Sequence, residues 1–383
     1  MSGPGPTGGA DPATTLARGT VHTGRRVLAD GWVLLRDGAV LGLGTGPAPA
    51  AGTVVRAAHV VPGFVDLHCH GGGGAQVGGR GDAALEAVRT VAAVHRAHGT
   101  TTLVASLVTR PVGDLRETLV ALTDLVADGT IAGAHLEGPW LSPLHRGAHD
   151  PDLLVDPDPA DVESLVATGI VAMVTVAPEL DGGLAAVQRI AGSGALAAIG
   201  HTDADEVVVR RAVDAGARVA THLFNAMPPV HHRAPGPVLA LLEDERVSVE
   251  LIADGVHLHP LTLAHAARSA GPGRTVLVTD AMAAAGSADG RYVLGGLEVE
   301  VTDGVARLAG GGSIAGSTLT LDAALRHAVT VAGVPLADAL AAVTTTPAGL
   351  LGRTDRGHLE VGATGGAVLL DDALDLVAVL APS

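Results

Sequence analysis

The chain has 383 residues, 47% of them hydrophobic, and a net charge of −16, so it can bury a large core while carrying a strongly acidic surface. Only Trp32, Phe64, Trp140, Phe224 and Tyr292 are aromatic, which leaves little to stack on bases, and the negative charge would repel a phosphate backbone; nucleic-acid binding is excluded on both counts. All 24 basic residues are arginine, which excludes Schiff-base lysines, the P-loop lysine and a metal centre bridged by carbamylated lysine.

Residues 1–18, rich in Gly, Pro and small polar residues, read as a disordered leader without the apolar stretch of a secretory signal. From residue 19 to 61 the pattern is short strands separated by turns, with Asp37-Gly38 and the Gly-Pro cluster at 44–52 as turn chemistry. From Val61 the pattern becomes an apolar strand, a loop and an amphipathic helix, repeated. The strand segments are GFVDLHCH, TTLVASLVT, IAGAHLEGP, VAMVTVAPE, ALAAIGHTDA, RVATHLFNAM, VSVELIADG and RTVLVTDAM. Such units predict a (β/α)₈ TIM-like barrel over 62–349, its apolar strands buried on both faces.

Residues 287–314 read as a hairpin inserted in the last unit, and 350–383 return to a strand-and-turn pattern. The two chain ends, 19–61 and 350–383, are expected to form a small β-sandwich-like domain together. Apolar runs fall short of the roughly 18–20 residues that a membrane helix needs. The single cysteine excludes an internal disulfide and suits a reducing cytoplasm.

A TIM-like barrel places its active site at the C-terminal strand ends. Those ends supply His68 and His70, then His135 and Glu137, then His201, then His222 and Asn225, then Asp254 and His257, and finally Asp280. One histidine at a strand end is commonly a hydrogen-bonded core residue. Several histidines with a carboxylate on one rim point to a divalent metal, zinc or iron by ligand chemistry.

In DLHCHGGGG, residues 66–74, strand alternation turns His68 and His70 to one face and Cys69 to the other, where it would pack as a small buried hydrophobe. His95 and His98, near the end of a predicted helix, fit C-terminal capping. His135 reads as support behind the ligands, and His231 and His232 as solvated loop residues. Glu137 in a dry barrel needs a partner, and Asp280 after an apolar run suits a metal ligand or general base.

The segments PGFVDLHCHGGGG and VTDAMAAAG resemble the amidohydrolase superfamily. HLEGPWLSP, IGHTDAD, THLFNAMPPVHHRAPG, DGVHLHP and GSIAGSTLTLD resemble, within it, the N-acetylglucosamine-6-phosphate deacetylases. The resemblance extends over most of residues 19–375. It implies hydrolysis of the acetamide of N-acetylglucosamine 6-phosphate by metal-activated water, with Asp280 as base and then acid. It also implies a main metal site of Glu137, His201 and His222, and a second ion held by His68 and His70 with Glu137 bridging, so one or two ions per chain.

By the same resemblance His149 reaches the acetamide or sugar, Gly138, Asn225 and the backbone at Ala226 contact the substrate, and Arg233 with His257 grips its phosphate. In that family the last two can come from a neighbouring subunit, which implies a homodimer. N-acetylgalactosamine 6-phosphate is an alternative substrate. A nucleobase deaminase or cyclic-amide hydrolase on the same barrel is a second reading, and a non-catalytic binding protein a third.

Overall fold

The structure, a computed structural model, describes residues 11–310 and 312–382. Residues 1–10 of the expected leader lie outside the described residues, and its remainder needs correction. A strand spans Thr15–His22 and pairs with both Val27–Arg36 and Thr53–Pro62. Leu16 and Ala17 are buried on it, so two apolar side chains draw the chain into the sheet just behind the Gly-Pro-rich start.

Both chain ends build one six-stranded sheet, in the order Leu376–Leu380, Ala367–Leu370, Thr53–Pro62, Thr15–His22, Val27–Arg36, Ala39–Thr45. Alternate residues Val33 and Leu35, with Val21, Val60 and Leu369, form its own apolar core. Period-two burial of β-branched and aliphatic side chains is what holds such a sheet in register.

The eight barrel strands run in chain order, each parallel to the next: Phe64–Cys69, Thr100–Val108, Gly133–Glu137, Val171–Val176, Leu196–Ile199, Val219–Ala220, Ser248–Ile252 and Thr275–Val278. Below they are called barrel strands one to eight. Backbone bonds from the His70 N–H to Ala281 O (2.8 Å) and from the Asp280 N–H to His68 O (2.8 Å) join the eighth strand end to the first and close the ring at the rim.

The outer helices dock by their apolar stripes. Helix Gly81–Ala97 buries Val88, Val91, Ala92 and His95, the three-and-four spacing of one helix face. Helix Glu206–Asp214 begins at Asp205, whose carboxylate accepts from the Val207 and Val208 N–H groups. That cap satisfies two of the four unpaired donors at the helix start.

The insertion in the last unit is a three-stranded antiparallel sheet, Gly290–Leu294, Leu297–Thr302 and Val305–Leu308, one strand more than a hairpin. Leu294, Val299, Val301 and Ala306 pack from it onto Val108 and Met282 of the barrel rim. Among the described residues no helix is long and apolar enough to cross a membrane.

Candidate active site

The C-terminal rim surrounds a cavity of about 330 Å³ whose floor carries His70, Glu137, His149, His201, His222 and Asp280. Strand alternation brings His68 and His70 inward from barrel strand one, and Glu137 ends strand three. His201, His222 and Asp280 stand just past their strands with φ of +48°, +25° and +47°. Such left-handed backbone is uncommon for residues with a Cβ, and it holds each side chain at the rim where the strand has ended.

The Glu137 carboxylate is the centre. Its Oε1 lies 2.9 Å from His222 Nε2 and 3.1 Å from His201 Nε2, while Oε2 lies 3.0 Å from His70 Nε2 and 3.4 Å from His149 Nε2. Asp280 Oδ1 stands 3.4 Å from His70 Nε2 and 3.5 Å from His68 Nε2. Burial works against a charge on Glu137, but the imidazoles around it, His68 foremost, hold its carboxyl well below the usual range.

The far ring nitrogens fix the tautomers. His68 Nδ1 donates to Glu250 Oε2 (3.2 Å), His70 Nδ1 to Ser106 O (3.1 Å) and His201 Nδ1 to His145 O (2.9 Å). Each therefore presents a bare Nε2 lone pair to the centre. Yet the Nε2 atoms of His68 and His70 are 2.9 Å apart, and those of His201 and His222 are 3.2 Å apart. The lone pairs of His68 and His70 facing each other at 2.9 Å repel unless a cation lies between them. Glu137 shares one donor group with His68 and His70 and another with His201 and His222. The residues thus fit a divalent metal, offering the nitrogen and oxygen donors that such an ion takes.

His149 has the opposite tautomer. Its Nδ1 accepts from the Thr109 N–H (3.4 Å), so Nε2 carries the proton and faces the cavity. Burial pushes the imidazole down to about 4, so the ring is neutral at neutral pH.

Among the other sequence candidates, Asn225, Ala226 and His257 line the cavity. His257 Nδ1 pairs with Asp254 Oδ2 at 2.7 Å. Gly138 is buried beside Thr109 with φ of +87°, and does not line the cavity. Arg233 also stands apart from the cavity, on an exposed loop with Nη1 2.7 Å from His232 Nε2. His231 and His232 are exposed beside it.

His135 is a supporting residue, since Ser106 Oγ and Thr175 Oγ1 occupy its two ring nitrogens. His98 is the C-cap residue of its helix and pairs with Asp322. His95 needs correction. It is fully buried and donates from Nε2 to Gly71 O (2.9 Å), so it pins the glycine turn after strand one rather than capping its helix.

Sequence reasoning passed over Glu250, which orients His68 and also accepts from the His222 N–H (3.2 Å). It also passed over Ser106. The signal for Glu250 was present, because a carboxylate inside the apolar run VSVELIA must have a partner.

Residues 59–382 match the sequence profile of the Amidohydrolase family. An N-acetylgalactosamine-6-phosphate deacetylase of Escherichia coli O157:H7 is 36% identical over 364 residues, 91% of this chain and 94% of that one. An N-acetylglucosamine-6-phosphate deacetylase of Danio rerio is 38% identical over 82% of this chain and 81% of its own. A solved structure of the Mycobacterium smegmatis N-acetyl-D-glucosamine-6-phosphate deacetylase, in complex with N-acetyl-D-glucosamine-6-phosphate, superposes with a TM-score of 0.91 at 46% identity, over 96% of this chain and 97% of that one.

Proposed function

The chain belongs to the amidohydrolase family, and from that premise we propose that it hydrolyses the acetamide of N-acetylglucosamine 6-phosphate, giving glucosamine 6-phosphate and acetate. The observation that carries the reading is the convergence of His68, His70, His201 and His222 Nε2 on the Glu137 carboxylate, with Asp280 beside them on the floor of the cavity. Relatives bearing the deacetylase name at 32–38% identity support the substrate.

Glu137, His201 and His222 would hold one divalent ion, zinc or iron, and His68 and His70 with Glu137 a second. An ion there supplies Lewis-acid polarisation of the amide carbonyl and a water acidic enough to attack it at neutral pH. Asp280 accepts the proton of the attacking water and returns it to the amide nitrogen as the C–N bond breaks. Amide and water thus leave as free amine and acetate. The His149 Nε2–H donates to the carbonyl oxygen as negative charge develops on it. Thr109 holds the imidazole in the tautomer that this donation requires.

Asn225 and the backbone at Ala226 position the sugar. His257 and Arg233 bind the phosphate, giving a local positive spot in a protein of charge −16. Since Arg233 does not line this chain's own cavity, we assign it to the neighbouring subunit's site in a homodimer. A reducing cytoplasm suits the buried free thiol of Cys69.

The test is acetate release from N-acetylglucosamine 6-phosphate and from its galacto epimer, with bound metal counted by mass spectrometry. Turnover with one or two ions per chain is expected, fastest on the gluco substrate. Full metal with no acetate from either sugar phosphate would overturn the substrate assignment and favour another hydrolase on this barrel.

A further inference from the structure

The insertion supplies part of the cavity wall. Leu294 from its first strand and Ile314 from the segment after its last line the cavity together with Val108, the last residue of barrel strand two. Leu294 and Val108 belong to one apolar cluster, with Met282 and Ala315 behind them.

The tip of the insertion is fastened. The Gln76 side-chain nitrogen donates to Val293 O (2.9 Å), and its oxygen accepts from the Gly295 N–H (3.2 Å). Gly295 itself, at φ +61°, sits so close to Val108 that a Cβ would stand 2.9 Å from Val108 Cγ2. Ile314 is placed by the bond from the Ala315 N–H to Ala306 O (3.1 Å), and by the pairing of Ser317 with Asp280. The wall is therefore fixed relative to the base.

Its place on the ring decides what it meets. Barrel strand two stands four positions from strand six around the eight-stranded sheet. The polar grip of Asn225 and Ala226 follows strand six, so it and the apolar wall rise from opposite sides of the ring. A 2-acylamino sugar 6-phosphate carries its phosphate and its acyl group on opposite sides of the ring. With the phosphate end toward His257 and Asn225 and the carbonyl at His149, the acyl methyl points at Val108, Leu294 and Ile314.

We propose that Val108, Leu294 and Ile314 form the acyl subsite and set the length of acyl chain that the enzyme removes. The proposal rests on the reading of the reaction given above. A pocket closed by packed apolar side chains discriminates between chains differing by one methylene by about tenfold or more.

The experiment compares kcat/KM on N-acetyl-, N-propionyl- and N-butyrylglucosamine 6-phosphate for the metal-loaded wild type, Leu294→Ala, Val108→Ala and Ile314→Ala. Acid release is the readout, and thermal melting checks the fold. The wild type is expected to lose about tenfold or more from acetyl to propionyl, and Leu294→Ala and Val108→Ala to narrow that ratio by about tenfold. Ile314 is only half-buried, so Ile314→Ala tests the wall without opening a core, and a narrowing of a few-fold is expected. Propionyl-to-acetyl ratios equal to the wild type in folded Leu294→Ala and Ile314→Ala would overturn the subsite while leaving the deacetylase reading intact. A wild type that releases acid from none of the three sugars would overturn both.

Discussion

Barrel strand one takes part in two clusters of metal-capable side chains, one centred on the inward His68 and His70 and one on the outward Cys69. Inside the barrel, His68 and His70 meet Glu137; outside, Cys69 lies with Asp66 and His95, and the donor atoms of each set lie within 4.8 Å of one another. By residue type the two look comparable, but the hydrogen bonds separate them.

In the outer cluster the donor atoms that face one another are already engaged. His95 Nε2 gives its proton to Gly71 O, and the Asp66 carboxylate accepts from the Thr279 hydroxyl (2.6 Å) and from the His68 N–H (3.2 Å). Burial raises Cys69 well above the usual thiol range, so it stays a thiol, and burial raises Asp66 to about 6. In the inner cluster the far nitrogens take the protons and the near lone pairs converge. Donor type alone therefore does not make a metal site; what matters is which lone pairs the surroundings leave bare.

The largest expected effect follows from Glu137, which both inner donor groups share. Glu137→Ala should remove bound metal and activity together, by at least about 10⁴-fold in kcat/KM. Full metal content in that variant would break the comparison.

Asp280→Asn should lower kcat by about 10²–10⁴ with metal content unchanged, which separates proton transfer from ligation. Loss of metal in this variant would instead make Asp280 a principal ligand.

Glu250 sharpens the comparison, since it acts from behind His68 and the His222 backbone. Glu250→Gln should weaken metal affinity or activity by about 10–100-fold, read as a rightward shift in metal titration of the apo-protein.

The fourth effect is a pH dependence. Burial alone would lower His257, but the Asp254 carboxylate outweighs it and raises the imidazole above its ordinary value; the same pairing outweighs burial at Asp254 and lowers its carboxyl. The His257 contribution is complete below the unfolded value of about 6.5 and is lost as pH rises through the raised folded value. The Asp254 contribution is present above about 3.9 and is lost as pH falls through the depressed folded value. The pair is therefore strongest from about pH 4 to 6.5. KM for the phosphorylated sugar should climb as pH passes above the folded value of His257, with kcat less affected. A KM profile unaltered in His257→Asn would remove this residue from phosphate binding.

Smallest is Cys69→Ala. Metal content and kcat should stay within about twofold, and stability should fall by about 1 kcal/mol for the lost packing, measured by urea denaturation. A fall in metal content would show the outer cluster to be a binding site after all.

Much of the site was legible in the chain because its logic is local. Alternation along residues 66–70 separates His68 and His70 from Cys69, and Glu137, His201, His222 and Asp280 each follow an apolar strand. What stayed hidden depends on non-neighbours. His95 as the pin of the glycine turn needs the Gly71 carbonyl at 2.9 Å, and Glu250 as the orienting group needs His68, 182 residues away.

The sequence by itself determined the barrel, its strand order and the residue types on its rim. Strand-and-helix periodicity and the placement of polar residues after apolar runs are properties of the chain alone. Only the tertiary structure decided which imidazole nitrogen is bare, that Arg233 stands outside its own chain's cavity, and that the insertion forms a wall on the opposite side of the ring from the polar grip. Those facts rest on hydrogen bonds and packing between segments far apart in the chain, and no local pattern encodes such distances.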